Sequence, residues 1–480
     1  MNELILDEPI RSNGGDRGKG GTIQVEINEP PRVTSRMRQI AGSVPMPTAD
    51  TYNKQQRRKA ARPGGAPALP IPLPPIPFLI GPRILQWKQD PFVSEIGVRR
   101  AFLPSFVRSG PRDARIASSG PLVVSANAFG DFIETIGSDA FDWVHTFSVV
   151  RQTLTMYQRC LRNPVPWQWN GASNVDPVTV FSHAGEGANA FYSRTQKCLK
   201  FLHFNKPGAP APAPKIFTCR SLDIVAHEAG HAVLDGLKPG WITSTTPQTG
   251  ALHESFGDLT AIFVALSQMD QVEALIAQSK ANLHDRNFLA DLAEEFGNAL
   301  GRPNGLRNAD NDLKLSQVSN EVHDLSQVFT GGIYDVLADM FLHERNFMTT
   351  DPALTLYSVA QYLCSLVVRA INAAPAANAT FANVINQMLT IASADGKPVQ
   401  YRNFIRNRFT LREVVVSPTP LNRDFAGAQP LEACEHCSLD HAVAGNRTGC
   451  CGTMTSDEYC VGDHTFLAEL EELKKAAAAR

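Results

Sequence analysis

Ser221-Leu-Asp-Ile-Val-Ala-His-Glu-Ala-Gly-His-Ala-Val-Leu-Asp235 decides how this chain is read. It contains His227-Glu228-Ala-Gly-His231, the H-E-x-x-H pattern. Side chains four apart share one face of an α-helix, so the two imidazoles point the same way and can take two corners of a zinc tetrahedron. Glu228 sits between them, offset around the helix, where it can reach a water molecule at the metal without ligating the metal itself. Leu222, Ile224, Val225, Ala226, Val233 and Leu234 make the helix apolar enough to be buried. Asp223, Glu228 and Asp235 are then costly guests unless they are paired or bound to a cation. The plain alternative is a helix with two satisfied histidines.

The next stretch, Gln248-Thr-Gly-Ala-Leu-His-Glu-Ser-Phe-Gly-Asp-Leu-Thr-Ala-Ile-Phe263, weighs against that alternative. Glu254 and Asp258 are again four apart, on a second helix with Leu252, Phe256, Leu259, Ile262 and Phe263. Two carboxylates on one side of a buried helix need a cation or strong donors. Glu254 on the metal gives His, His, Glu and an open position, the catalytic rather than the structural arrangement. Asp258 can accept the second ring N–H of a ligand histidine and so fix its tautomer.

H-E-x-x-H followed by E-x-x-x-D on a second helix resembles the thermolysin-like zinc metallopeptidases, the gluzincins. The resemblance implies an α+β fold of two lobes, with a Glu-activated zinc-bound water hydrolysing internal peptide bonds beside bulky apolar residues. It covers about residues 140–345, and its specific part is 221–263. Val322-His323, ahead of a helix rich in small residues, is similar to the family's second catalytic histidine, which would stabilise the oxyanion. No supporting aspartate stands just upstream, though Asp324 is adjacent. Asn189-Ala190-Phe191-Tyr192 resembles the family's substrate-holding edge strand, where a peptide backbone would add as a further strand. An ordinary sheet edge and an exposed histidine are the alternatives at these two places. Two departures stand out. The connection 236–250 offers Trp241 but no tyrosine for the oxyanion. Asp223 matches a family calcium ligand, but the glutamate expected after Glu254 falls in the apolar run Ile262–Leu266, so the calcium site is expected to be weakened or absent.

The remainder frames this core. The chain has 480 residues, a net charge of −2 and 43% apolar residues, so neither a nucleic acid nor a membrane has an electrostatic claim on it. No apolar run reaches the ~18 residues of a bilayer span, and the acidic start is not a secretory signal, which makes a cytoplasmic location the default and leaves export by another route open. Residues 1–80, with Gly14-Gly15, a basic run at 54–62 and the alternating prolines of 63–77, read as a disordered tail with a stiff linker, or as a pro-segment. An α+β lobe is expected over 81–235, with strand-like pieces at Phe92-Val93, Ile96–Val98 and Pro121–Ser125 and a helix capped by Ser138 and ended by Pro164. A helical lobe is expected over 236–425, with helices at about 271–281, 286–299, the second half of 321–341, 353–373 and 378–393.

The tail, 426–480, carries Cys434, Cys437, Cys450, Cys451 and Cys460, five of nine cysteines, and ends in a short helix from Phe466. A second, structural zinc, disulfides, or a cysteine that reaches the catalytic zinc are its open readings. The remaining cysteines, 160, 198, 219 and 364, read as buried thiols. The alternative function is a peptidase fold of weak or no activity that keeps its zinc and docks a partner through this tail. An intact Glu228 argues against it, because a purely structural site has no use for a general base.

Overall fold

A computed structural model describes residues 81–170 and 176–414, and the backbone of 454–456 and 459–461. These residues all belong to a unit spanning Leu73–Arg480. The expectations for residues 1–80, for Cys434, Cys437, Cys450 and Cys451, and for the helix from Phe466 fall outside the described residues, as does the side chain of Cys460.

The described part is a mixed α+β structure of small sheets and packed helices. β1 (Arg83–Trp87) and β2 (Val98–Phe102) form an antiparallel pair. Phe92-Val93, expected to be extended, lies in a turn because Asp90 Oδ1 accepts from the Phe92 N–H. Pro121–Ser125 contributes only a bridge between Val124 and Gly110. The first long helix, α1 (Asp139–Leu161), starts where Ser138 Oγ accepts from the Phe141 N–H and stops at Arg162, whose φ is 57°. Its buried face carries Phe141, Val144, Phe147, Val150, Leu154 and Tyr157.

The main sheet uses β3 (Ile116–Ser118), β4 (Val178–Phe181), β5 (Ala190–Ser193), β6 (Cys198–Phe201), β11 (Met454–Ser456) and β12 (Tyr459–Val461) in the order β12-β11-β5-β6-β4-β3. β5 runs antiparallel to β6, Ala190 opposite Phe201. Its other edge is not wholly open, because β11 pairs with it in parallel at Tyr192. β7 (His203–Asn205) and β8 (Lys215–Phe217) make a separate ribbon leading into the histidine helix.

That helix is α2 (Leu222–Leu237), capped by Ser221, and it packs against α3 (Pro247–Leu266), whose proline sits in the first turn where a missing N–H costs nothing. Glycine allows the two axes to come close. A Cβ at Gly230 would meet Thr260 Oγ1 at 2.5 Å, and one at Gly257 would meet the His227 ring at 2.6 Å. Every residue of α3 is buried, so its acids are held in apolar surroundings.

α4 (Met269–Ser279) follows. A continuous helix over 286–299 does not form. Asp291-Leu292 (β9) pairs with Arg307-Asn308 (β10), and only Glu294–Ala299 (α5) is helical. The break is at Ala293, whose φ is 52° and whose N–H is donated to Asp223 Oδ2 on α2. α6 (Val322–Glu344), α7 (Pro352–Ala373), α8 (Phe381–Ala394) and α9 (Val399–Leu411) complete the helical part. Among the described residues α7 is long and apolar enough to cross a membrane, which the count of apolar runs had not shown. It packs on α1, α4, α6 and α8 and supplies Leu356, Leu363, Leu366 and Val367 to the core.

Candidate metal centre and cleft

α2 presents His227 and His231 toward α3, and α3 returns Glu254. The facing nitrogens, Nε2 of each histidine, are 3.0 Å apart. His227 Nε2 lies 3.5 Å from Glu254 Oε2, and His231 Nε2 lies 3.6 Å from Glu254 Oε1. A zinc ion takes nitrogen and oxygen ligands at about 2.0–2.1 Å, so two corners of its tetrahedron stand ~3.4 Å apart. The three side chains fit that spacing, and all are buried. A further fit is chemical: without a cation this site must hold two imidazoles and a carboxylate away from water.

The outer nitrogens of the two histidines have unlike partners. His227 Nδ1 and Arg307 Nη2 both donate to Asp258 Oδ1, at 3.0 and 2.7 Å. Burial opposes charge on Asp258, but Arg307 and His227 outweigh it and hold the carboxyl below its ordinary range. His231 Nδ1 lies 2.8 Å from Nδ1 of His253, a fully buried ring. With Nε2 on the metal side, His231 donates through Nδ1, and His253 accepts.

Charge is uneven across the centre. Burial works against a proton on His227, yet Asp258 and Glu254 raise its pKa to about 9. Burial alone dominates at His231 and pushes it well below the usual imidazole range. Glu254 is held well below the carboxylate range, against burial, by His323, His231 and His227. A divalent cation would replace the proton that His227 carries, since ligand histidines must be neutral.

Glu228 is fully buried, and neither of its oxygens makes a hydrogen bond. Burial raises its pKa well above the ordinary value and the Glu254 carboxylate adds to this, while His227, Arg307 and, last, the Tyr192 backbone N–H pull the other way. A buried carboxyl raised in this manner is a group that can take up a proton and give it back.

His323, at the start of α6, closes the site from the far side. Its Nε2 is 3.1 Å from Glu254 Oε2 and its Nδ1 2.8 Å from Glu321 Oε1. The supporting carboxylate is therefore Glu321, two residues upstream; Asp324, the neighbour considered from sequence, accepts instead from the Ser319 N–H. Glu321 also caps α6 by accepting from the His323 and Asp324 amides, so one side chain both starts the helix and orients the imidazole. Burial resists charge on His323, but Glu254 and Glu321 raise it well above its ordinary value.

A cleft of about 570 Å³, part of it open to solvent, joins these groups. Asn189, Ala190, His227, Glu228, Asp258 and His323 line it together with Arg307. Its apolar wall is Ile224, Ala261, Leu292, Phe296 and Leu306. Asn189 turns its Oδ1 back to the Ala190 N–H and leaves Nδ2 without a hydrogen bond. Trp241 is not part of the cleft: it is buried, and its Nε1 donates to the Pro375 carbonyl.

Sequence reasoning passed over Arg307, His253 and Glu321. Only His253 carried a visible signal, as the one histidine of the quoted α3 stretch, next to Glu254. Asp223 also lines the cleft, beside a second set of acids. Its Oδ1 and Asp90 Oδ2 are buried without hydrogen bonds, and burial, then Asp90 and Glu294, raise Asp223 well above its ordinary range. No family model and no curated protein matches this chain.

Proposed function

We propose that this chain is a zinc-dependent endopeptidase of thermolysin-like, two-lobe architecture. One observation carries the reading: His227, His231 and Glu254 converge at tetrahedral spacing, and His227 and the carboxylate-bearing Glu228 line one cleft. The layout supports the finer fold, with α1 and four strands of the main sheet, β3 to β6, ahead of α2 and the helices α3 to α9 behind it. A zinc ion held by these three residues would supply a Lewis acid for the scissile carbonyl and an acidified water.

The chain's own groups do the rest. Glu228 takes a proton from the attacking water and returns it to the leaving amine. His323, fixed by Glu321, directs an N–H at the oxygen that gains charge. Asn189 Nδ2 and the Ala190 end of β5 hold the peptide backbone, and a longer peptide along β5 displaces β11 from Tyr192. Arg307 anchors Asp258 at the rim. Ile224, Ala261, Leu292, Phe296 and Leu306 form a wall that takes a bulky apolar side chain next to the scissile bond.

The test is hydrolysis of quenched peptides carrying a Phe or Leu, by the full chain loaded with one equivalent of zinc. Glu228→Gln at equal zinc content should be slower by about a thousandfold. Equal rates in the two proteins would overturn the reading. No hydrolysis by either, with zinc seated, would favour the scaffold alternative.

A further inference from the structure

The last turn of α1 and the middle of α7 bring two thiols together. Cys160 Sγ and Cys364 Sγ lie 3.3 Å apart although 204 residues separate them in the chain. The two helices are also tied beside the pair, where Ser365 Oγ donates to the Cys160 carbonyl. We propose that Cys160 and Cys364 form a dithiol redox site that closes to a disulfide clip between α1 and α7. The proposal is independent of the peptidase reading.

The two thiols are placed unequally, as an attacking and a resolving cysteine are. Cys160 is partly exposed and Cys364 is buried. The contact with the Cys364 thiol lowers the Cys160 pKa against the effect of burial, and Arg369 adds to the lowering. Burial first, then Cys160, pushes Cys364 well above its ordinary range. Thiolate character and access therefore coincide at Cys160. The oxidant is a small disulfide such as oxidised glutathione. Cys160 thiolate attacks one of its sulfurs; the oxidant's S–S bond breaks, one glutathione leaves as thiolate, and a mixed disulfide forms on Cys160. Cys364 loses its proton to that thiolate and attacks Cys160 Sγ, and the second glutathione leaves. Two protein thiols are oxidised and one glutathione disulfide is reduced.

The clip would brace the walls of the metal centre rather than its chemistry. Tyr157, on α1 one turn before Cys160, stacks on Phe256 of α3 with centroids 5.0 Å apart and bonds Thr260 Oγ1 at 2.7 Å. α7 packs on the same α3. Closing a loop of this length should raise the melting temperature by about 5 °C.

The test treats the full chain with oxidised glutathione or with a reductant, alkylates free thiols after unfolding, and maps peptides by mass. The expected results are a cross-linked Cys160–Cys364 peptide in the oxidised sample and a higher melting temperature that Cys160→Ser and Cys364→Ala both lose. Cys364→Ala should also accumulate glutathione on Cys160. Wild-type protein whose Cys160 and Cys364 both stay alkylatable, or whose Cys160 pairs with a tail cysteine, would overturn the proposal, and that mapping needs no variant to fold.

Discussion

Two groups of buried acids flank the histidine helix, and they are treated in opposite ways. Glu254 and Asp258 are surrounded by His227, His231, His323 and Arg307 and stay ionised. At Asp223 and Asp90 no cation offsets burial, and Arg286 beside Glu294 and Arg220 and Lys206 beside Glu295 are outweighed by burial and by neighbouring acids. Burial and mutual repulsion raise Glu294 to about 8 and Glu295 to about 7. Burial is common to both groups, so the difference comes from what the neighbouring elements deliver. β10 brings Arg307 to the first group, whereas α5 brings more carboxylates to the second. The first group is prepared to hold a cation. The second is prepared to hold protons, and among the described residues Asp223 belongs to no tight group of metal-ligating atoms.

Changes at the first group should have the largest effect. Asp258→Asn leaves His227 without its charged partner and should weaken zinc binding by about 10–100-fold in a chelator competition. His253→Asn, which keeps an acceptor for His231, should lose less, and His253→Leu as much as Asp258→Asn. Equal affinities in all three would show that the outer partners do not tune the centre.

A second effect should appear on varying pH. His227 must give up a proton to bind metal, so below pH about 9 apparent zinc affinity should fall by at least about tenfold per unit. In the metal-free chain, stability should fall as pH rises from about 6.5 to 9. A raised histidine contributes stability that is full below its unfolded pKa and is lost as pH passes its folded value. Raised acids act in the same direction: the folded chain holds protons that the unfolded chain has released, so the loss develops between about pH 4.3 and the folded values of about 7 and 8. Melting temperatures of metal-free protein that rise over pH 6.5–9 would contradict both.

Calcium should have the smallest effect. The second group titrates instead of caging an ion, so calcium should move the melting temperature by less than about 2 °C. A large upward shift would mean that Asp90, Asp223 and Glu294 close around it.

Much of the first group was legible because helical spacing carries it. His227 and His231, then Glu254 and Asp258, each share a face whatever the rest of the chain does. The crossing of α2 over α3 was legible only in part: Gly257 stands in the quoted stretch, but nothing in it says that a Cβ there would strike His227. Arg307 was not legible, because it arrives through a two-residue pairing, β9 with β10, that replaced an expected helix. The helical pattern over 286–299 misled for a tertiary reason, the bond from the Ala293 N–H to Asp223. Glu321 was overlooked because a capping side chain and an imidazole partner are usually sought in different residues, and here one carboxylate does both.

The central claim is about where a single metal ion sits. Crystals of the full chain grown with one equivalent of zinc, measured at the zinc absorption edge, locate it directly. The account predicts one anomalous peak about 2.0–2.1 Å from Nε2 of His227, Nε2 of His231 and the Glu254 carboxylate, with no fourth side chain. A peak held by the tail cysteines with nothing between the two histidines, or a protein side chain closing the fourth corner, would contradict it.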